Sequence, residues 1–231
     1  MVSAMKSVLS IDTANSPVSM PVTMPMTSSE MNATDITLLK HWLEGRYQGR
    51  ELQTFRKGQA IPLDDTHIWL VYRGVVQLTT LYPNGDEAIL GLVSPLMPFG
   101  NPLSIVQPYH ASALTEANLM RMSWQEVQRS PELLACVLSQ LVRRLQQSEA
   151  MSAIANHRRV EDRLIDFLKL LQQDLSQPLD RGHRLTVRLT HQHFANAIGT
   201  TRVTVTRLLG QLRDRGAIDL DDTRHVVILS L

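Results

Sequence analysis

Residues 189–215 read LTHQHFANAIGTTRVTVTRLLGQLRDR, and this stretch decides the fold of the C-terminal third of the 231-residue chain. Its apolar residues recur mostly at intervals of three and four, which is the spacing of two amphipathic helices that share one core. We predict helices over about 191–197 and 202–215, separated by a turn at Gly199. Two short helices around a glycine are typical of a helix-turn-helix.

The second of these helices begins with a cluster of residues that can contact DNA bases. A helix-turn-helix presents the start of its second helix to base edges in the major groove. Arginine there suits guanine, whose O6 and N7 accept a pair of bonds from one guanidinium. An ordinary helical hairpin with solvated arginines would give the same pattern, so both interpretations stay open here. The candidate base-contacting residues are Arg202, Val203, Thr204, Thr206 and Arg207.

The flanking sequence supplies the other parts of a winged helix. After Gly216 the chain reads AIDLDDTRHVVILSL, in which two alternating apolar runs surround a polar turn, and this predicts a β-hairpin. Upstream, LTVRL at 185–189 predicts a third strand, and 159–173 a helix. The order helix, strand, helix, helix, hairpin is that of a winged helix-turn-helix.

The segment GTTRVTVTRLLGQLRDRGAI resembles the recognition-helix motif of the CRP/FNR family of bacterial transcription regulators, and is most similar to its cyanobacterial NtcA type. The resemblance implies a sequence-specific DNA-binding regulator in which Arg202 and Arg207 read bases. Val203 stands where the cyclic-AMP receptor type has a cytosine-reading glutamate, which favours a palindrome with GTA half-sites. His191 and Gln192 would contact phosphates. RNA polymerase is a candidate further partner.

The N-terminal half carries many short runs of strand character. From about Leu52 these are LQTF, HIWLVY, GVVQLTTLY, EAILGLV, HASAL and NLMRMS, and they predict a β-barrel or sandwich. The stretch IWLVYRGVVQLTTLYPNGDEAILGLVSPLMPFG resembles the β-roll of cyclic-nucleotide-binding-like sensor domains. The expected fold class is therefore α+β, with an N-terminal β-roll, a long dimerisation helix and a C-terminal winged helix-turn-helix.

A long helix is predicted between the two halves, because PELLACVLSQLVRRLQQSEAMSAIAN contains no glycine and no proline after its first residue. In the family this helix pairs with its twin, which implies a homodimer with two recognition helices about one DNA turn apart. A helix packed within its own subunit is the alternative. The residues of the heptad-like seam are Leu134, Leu138, Leu141, Leu145, Ser148 and Ser152.

These patterns divide the chain into four segments. Residues 1–34 are rich in Ser, Thr, Pro and Met with almost no charge, and we expect them to be disordered. A β-roll sensor domain is predicted over 35–130, the dimerisation helix over 131–156 and the DNA-binding domain over 157–231.

Composition narrows the function further. The net charge is only +1, but residues 156–231 contain 12 Arg and Lys against nine Asp and Glu, a local net charge of +3. One cysteine, Cys136, suits a reducing cytoplasm and excludes an iron–sulfur sensor with several cysteine ligands. There is no run of about 20 apolar residues, and no nucleophile elbow, phosphate loop or zinc-spaced cluster. We therefore expect a cytoplasmic protein that is not an enzyme, binds no metal and carries no covalent cofactor.

A cyclic-AMP pocket is not expected. Cyclic-AMP binders of this family carry a glutamate soon after an FG turn and an arginine that clamps the cyclic phosphate. Here Asn101 and Pro102 follow the FG turn at Phe99 and Gly100, and no arginine occurs between this turn and Ala111.

The NtcA type binds 2-oxoglutarate at the same turn and to an arginine and a glutamate of the long helix. By that resemblance the candidate effector contacts are Phe99, Gly100, Arg144 and Glu149. The sequence departs from the pattern at two points, since the loop arginine is replaced near Gln107 and Pro102 lacks one amide donor.

A second effector candidate is cyclic di-GMP. The segment EGRYQGR places Arg46 and Arg50 four residues apart around Tyr47, which resembles an arginine pair that grips phosphates and stacks on guanines in receptors for this dinucleotide. A solvated helix end gives the same spacing. An effector-independent regulator, or an interaction adaptor that retains the fold, also stays open.

Overall fold

The computed structural model describes Gly45 and residues 51–231. The expected disorder of 1–34 and the candidate residues Arg46, Tyr47 and Arg50 lie outside this part of the chain. The predicted domain bounds stay predictions. The described residues form an α+β structure with a β-roll, a long helix and a winged helix-turn-helix.

The sensor unit, by which we mean strands β1 to β7, is built from two antiparallel sheets with the strand orders β1-β7-β2-β5 and β4-β3-β6. Six of its strands coincide with the six runs predicted from the sequence. The strands are β1 Gln53–Phe55, β2 His67–Arg73, β3 Val76–Leu81, β4 Glu87–Val93, β5 Pro98–Phe99, β6 His110–Ala113 and β7 Ala117–Ser123.

Strand β2 is buried on both faces, which explains its nearly continuous apolar sequence. Trp69 and Val71 point into the core between the sheets, where Trp69 meets Phe55 edge to face at 5.6 Å. Ile68 and Leu70 point the other way, into a second core shared with the helices that follow. The sensor unit is thus attached to those helices through the back of one sheet.

Strand β5 was not predicted. It has only two residues, too few for a period-two pattern, and it is held by pairing with β2, where Trp69 lies opposite Phe99. That pairing fixes the position of the FG turn that immediately follows.

Two helices leave the sensor unit, α1 at Trp124–Arg129 and the long helix α2 at Pro131–Ala155. Ser130 caps the long helix by accepting a bond from the Leu133 amide at 3.3 Å, and Pro131 occupies the first turn, where its missing N–H costs nothing. The predicted seam needs one correction. Leu141 packs against the core of its own subunit, and Val142 stands on the exposed face in its place.

The DNA-binding unit comprises the remaining elements. Its sheet has the order β10-β11-β9-β8. The elements are α3 Val160–Leu175, β8 Ser176–Leu179, β9 Gly182–Leu185, α4 His191–Ile198, α5 Arg202–Asp214, β10 Ile218–Leu220 and β11 Val226–Ile228.

The third strand predicted at 185–189 is wrong in position. The strand is β9, which ends at Leu185, and it forms a hairpin with the unpredicted β8. The cause is packing: Leu185 and Val187 are buried whereas Arg188 is exposed, so the alternation continues after the strand has ended. The two strands of the predicted wing hairpin are confirmed as β10 and β11.

The core of the DNA-binding unit is continuous with the sensor unit. Phe167 and Phe194 meet edge to face at 5.9 Å, and the same cluster includes Ile89 and Leu92 of β4. Strand β4 therefore packs against the DNA-binding unit. Within the described residues, no helix is long and apolar enough to cross a bilayer.

Candidate nucleic-acid interface and effector site

Threonine caps define both helices of the helix-turn-helix. The Thr190 hydroxyl accepts from the His193 amide at 3.2 Å, and the His193 ring accepts from the Thr190 amide at 3.1 Å, which is a reciprocal capping box. Thr201 caps α5 by accepting from the Thr204 amide at 3.2 Å. Gly199 ends α4 in the left-handed region, with φ 62° and ψ 58°, where a side chain is disfavoured.

An arginine of α3 bonds the turn between α4 and α5. The Arg163 guanidinium donates to the carbonyl of Ile198 at 2.9 Å and to that of Gly199 at 3.3 Å. A cation at a helix C-terminus satisfies orphan carbonyls and opposes the negative end of the helix dipole. The angle between α4 and α5 is therefore supported by a third helix.

Helix α5 separates its structural and its exposed residues on opposite faces. Val203 is 79% exposed, which is unusual for an isopropyl group and leaves it available for apolar contact. Arg202, Thr206 and Arg207 are exposed, and Thr204 is half-buried. The opposite face enters the core with Val205, Leu208, Leu209 and Leu212.

A groove runs between α4, α5 and the wing, and most of its charged residues are arginines. Of the predicted residues, His191, Gln192, Arg202 and Thr206 line it. Three lining arginines were missed by sequence reasoning, namely Arg188, Arg213 and Arg224, and one acid, Asp219, lies among them. Arg213 could have been found, because it follows Arg202 and Thr206 at helical spacing. Arg188 and Arg224 lie in loops, where spacing carries no such signal.

Helix α4, the first helix of the motif, is hydrogen-bonded to α5 on one side and to strand β4 on the other. The His191 ring and the Thr206 hydroxyl lie 2.7 Å apart, which links α4 to α5. Gln192 donates to the Asn196 side chain at 2.6 Å, and Asn196 donates to the Glu87 carboxylate of β4 at 2.8 Å. A predicted phosphate contact, Gln192, is thus linked to the sensor unit through one side chain.

The wing is held by a carboxylate at its turn. Asp221 accepts bonds from the Arg184 guanidinium of β9 and from the amides of Thr223 and His225. Although desolvation acts to raise it, the pKa of Asp221 lies well below its usual range because these donors favour the charged form. Arg224, between these two donors, has φ 61°, and its amide donates to the Asp221 carbonyl at 2.8 Å within the turn.

The candidate effector residues occupy different environments. Phe99 is buried in the sensor core, so only its backbone faces the turn. Gly100 has φ 144°, and a Cβ there would lie 3.0 Å from the His67 carbonyl, so the tight FG turn requires glycine.

Arg144 and Tyr109 form the polar part of this region. Desolvation lowers the pKa of Arg144, opposed by the nearby Tyr109, and burial raises the pKa of Tyr109, opposed by Arg144 and a backbone bond from Gly100. Among residues 51–231, no carboxylate forms an ion pair with Arg144. Tyr109 was missed because nothing in its sequence context distinguishes it from a core tyrosine.

Glu149 is not brought together with Arg144. Glu149 is five positions after Arg144 on one helix, which turns their side chains about 140° apart, and Glu149 is exposed. It lies four residues after Leu145, on the exposed face of the long helix. The described residues contain no group of three or more His, Cys, Asp or Glu side chains able to hold a metal ion.

This architecture defines a class: a DNA-binding regulator in which a cyclic-nucleotide-binding-like sensor is joined to a winged helix-turn-helix. The Crp-like helix-turn-helix domain family matches residues 162–231. The global nitrogen regulator of Synechococcus elongatus is 34% identical over 190 residues, covering 77% of this chain and 85% of that protein.

Solved structures agree with this class. A CRP-family transcriptional regulator from Thermus thermophilus superposes with a TM-score of 0.66 at 26% identity, covering 78% of this chain and 92% of that one. The c-di-GMP responsive global regulator CLP of Xanthomonas campestris has a TM-score of 0.65 at 19% identity, covering 82% and 98%, and shows the fold alone. The chain belongs to the CRP/FNR family of transcriptional regulators. Its relatives are regulators, not enzymes.

The wing carboxylate predicts a pH dependence. Because the folded pKa of Asp221 is lowered, its stabilising contribution is fully present above the ordinary aspartate pKa of about 4 and is lost progressively as the pH falls from that value toward the lowered folded pKa. We expect Asp221→Asn to lower the urea midpoint at pH 7, and the difference from the parent to become smaller as the pH falls from about 4 to 3. The neighbouring exposed Asp222→Asn is the control. Urea midpoints of the Asp221 variant that stay parallel to the parent from pH 7 to pH 3 would contradict this account.

Proposed function

We propose that the chain acts as a cytoplasmic homodimer that binds a palindromic DNA site with two GTA-type half-sites and is modulated by a small anionic effector near the FG turn. The observation that carries the DNA-binding part is the groove of arginines beside an exposed recognition helix.

Two kinds of DNA contact follow from the positions of these residues. Arg202, Val203, Thr204, Thr206 and Arg207 are at the start of α5, where a helix-turn-helix contacts bases. The remaining lining residues, Arg188, His191, Gln192, Arg213 and Arg224, are suited to the phosphates on either side. The exposed methyl groups of Val203 suit a thymine methyl group, which agrees with a GTA half-site.

The dimer is supported by a row of exposed apolar residues on the long helix. Leu134, Leu138, Val142 and Leu145 are 38%, 57%, 47% and 59% exposed, and they follow one another at spacings of four, four and three. Such a row on a 25-residue helix is typical of the seam between two paired helices, which supports the proposed dimer. Glu149 continues the row, so a dimer would bring it to the interface.

The effector part is supported by Arg144, a half-buried guanidinium beside the FG turn without a carboxylate partner among residues 51–231. A desolvated cation without a counter-charge is a candidate anion site. The resemblance to the NtcA type makes 2-oxoglutarate one candidate, and cyclic di-GMP is the second candidate.

The first prediction concerns DNA readout. Arg202→Ala should weaken binding to a duplex with GTA and TAC half-sites by at least about fivefold, because each paired arginine–guanine contact contributes roughly 1–3 kcal/mol. Fluorescence anisotropy against a scrambled duplex measures the loss. Arg188→Ala should weaken binding to both duplexes alike and flatten the salt dependence. The control is Arg73→Ala, which removes an exposed arginine of the sensor unit. Unchanged affinity of the Arg202 variant would favour the adaptor alternative.

The second prediction concerns the dimer. Leu138→Glu places a charge in the seam and should convert the dimer to a monomer in sedimentation velocity, because a buried unpaired carboxylate opposes association. Leu179→Glu is the matched control, since that leucine of β8 is 49% exposed outside the seam. A Leu138 variant that sediments like the parent would refute the seam.

The third prediction separates the two effectors. If 2-oxoglutarate binds at the FG turn, Arg144→Met should abolish its calorimetric binding signal, because the substitution removes the cation that contacts the anion. The double variant Arg46→Ala, Arg50→Ala keeps Arg144 and should still bind 2-oxoglutarate. Cyclic di-GMP held by the upstream pair predicts the reverse. If the parent protein binds neither compound, the result would support the effector-independent alternative.

A further inference from the structure

Among residues 51–231, strand β4 lies at the edge of its sheet and pairs with β3 on one side only. Leu92 lies on this strand, and both its backbone groups are bonded by one side chain of the long helix. Gln147 Oε1 accepts from the Leu92 amide at 3.2 Å, and Nε2 donates to the Leu92 carbonyl at 2.9 Å. A glutamine amide therefore does here what a neighbouring strand would do.

The other two bonding positions of Gln147 are also used. Nε2 donates to the Asp174 carboxylate, near the end of α3, at 2.9 Å, and Oε1 lies 3.5 Å from the Arg144 guanidinium. A primary amide has two donors and two acceptor positions, so the side chain is fully bonded. Because Gln147 is 6% exposed, water cannot easily replace a lost partner.

Gly91 makes this arrangement sterically feasible. A Cβ at Gly91 would lie 2.9 Å from both Arg144 Nη1 and Gln147 Oε1. The strand therefore approaches the two side chains more closely than any other residue type would allow. Arg144, Gln147 and the strand are packed as one unit.

We propose that Gln147 is a positioning residue that couples the charge state around Arg144 to the docking of the DNA-binding unit on the sensor unit. This rests on the proposed function, in which Arg144 binds an anionic effector. An anion that draws the guanidinium away changes the bonding of Gln147 Oε1, and the same amide holds Asp174. The coupling needs no long pathway, because one side chain contacts Arg144, the edge of β4 and α3.

Swapping the amide and the carboxylate between positions 147 and 174 tests the contact between Gln147 and Asp174. Gln147→Glu keeps the shape but removes the donor to both Asp174 and the Leu92 carbonyl, and it sets two carboxylates side by side. Hydrogen exchange over residues 168–175 should become at least about tenfold faster, because undocking exposes the end of α3. Combining it with Asp174→Asn should slow this exchange at least about threefold, since the introduced amide donates to the introduced carboxylate while the Leu92 carbonyl still lacks its donor. A double variant that exchanges as fast as Gln147→Glu alone would overturn the proposal.

A coupling measurement tests the link to Arg144. Arg144→Met should accelerate exchange over residues 168–175 about threefold or more in the parent, but less than about 1.5-fold when Gln147→Met is already present. The control is Gln140→Met, a buried glutamine one heptad earlier that bonds Ser139 and Arg143, in whose background the effect of Arg144→Met should persist. Equal acceleration in the Gln147→Met background and the parent would refute the coupling. Duplex selectivity of the parent is measured separately, so failure of the proposed function is distinguishable.

Discussion

The open edge of β4 is the constraint on which the arrangement of this molecule depends. Backbone groups buried at a sheet edge must be bonded, and here no further strand pairs with that edge among the described residues. The long helix supplies the bonds instead, through the Gln147 amide. Satisfying one strand therefore draws the helix against the sheet and brings Arg144 to its position beside the FG turn.

The same strand also binds the sensor unit to the DNA-binding unit. Ile89 and Leu92 enter the core that contains Phe167 and Phe194, and Glu87 accepts from Asn196 of α4. The two units thus share apolar and polar contacts along seven residues of one strand. Strand β4 therefore contacts both the long helix, through Gln147, and the first helix of the helix-turn-helix, through Asn196.

The sequence predicted most elements because their signals are local. Six sensor strands, the long helix and the recognition motif follow from periodicity, and Gly199 marks the turn by itself. Strand β5 was missed because the distant strand β2 holds it in place. Strand β9 was misplaced because the apolar alternation continues past Leu185, and β8 was missed although its partner β9 is its neighbour in sequence. The candidate base-contacting residues follow from one helix, whereas Tyr109, Arg188 and Arg224 depend on tertiary placement that no spacing encodes.

The division of α5 into two faces has a consequence for how such a protein diversifies. The residues that face DNA in the proposal, such as Arg202 and Val203, contribute nothing to the core, whereas Val205 and Leu208 on the opposite face support the fold. Replacements on the exposed face are thereby nearly free of cost to folding. Duplicated genes can therefore acquire new operator preferences through single substitutions on this face. Substitution of Gln147, in contrast, requires compensating substitutions at its bonded neighbours Arg144 and Asp174.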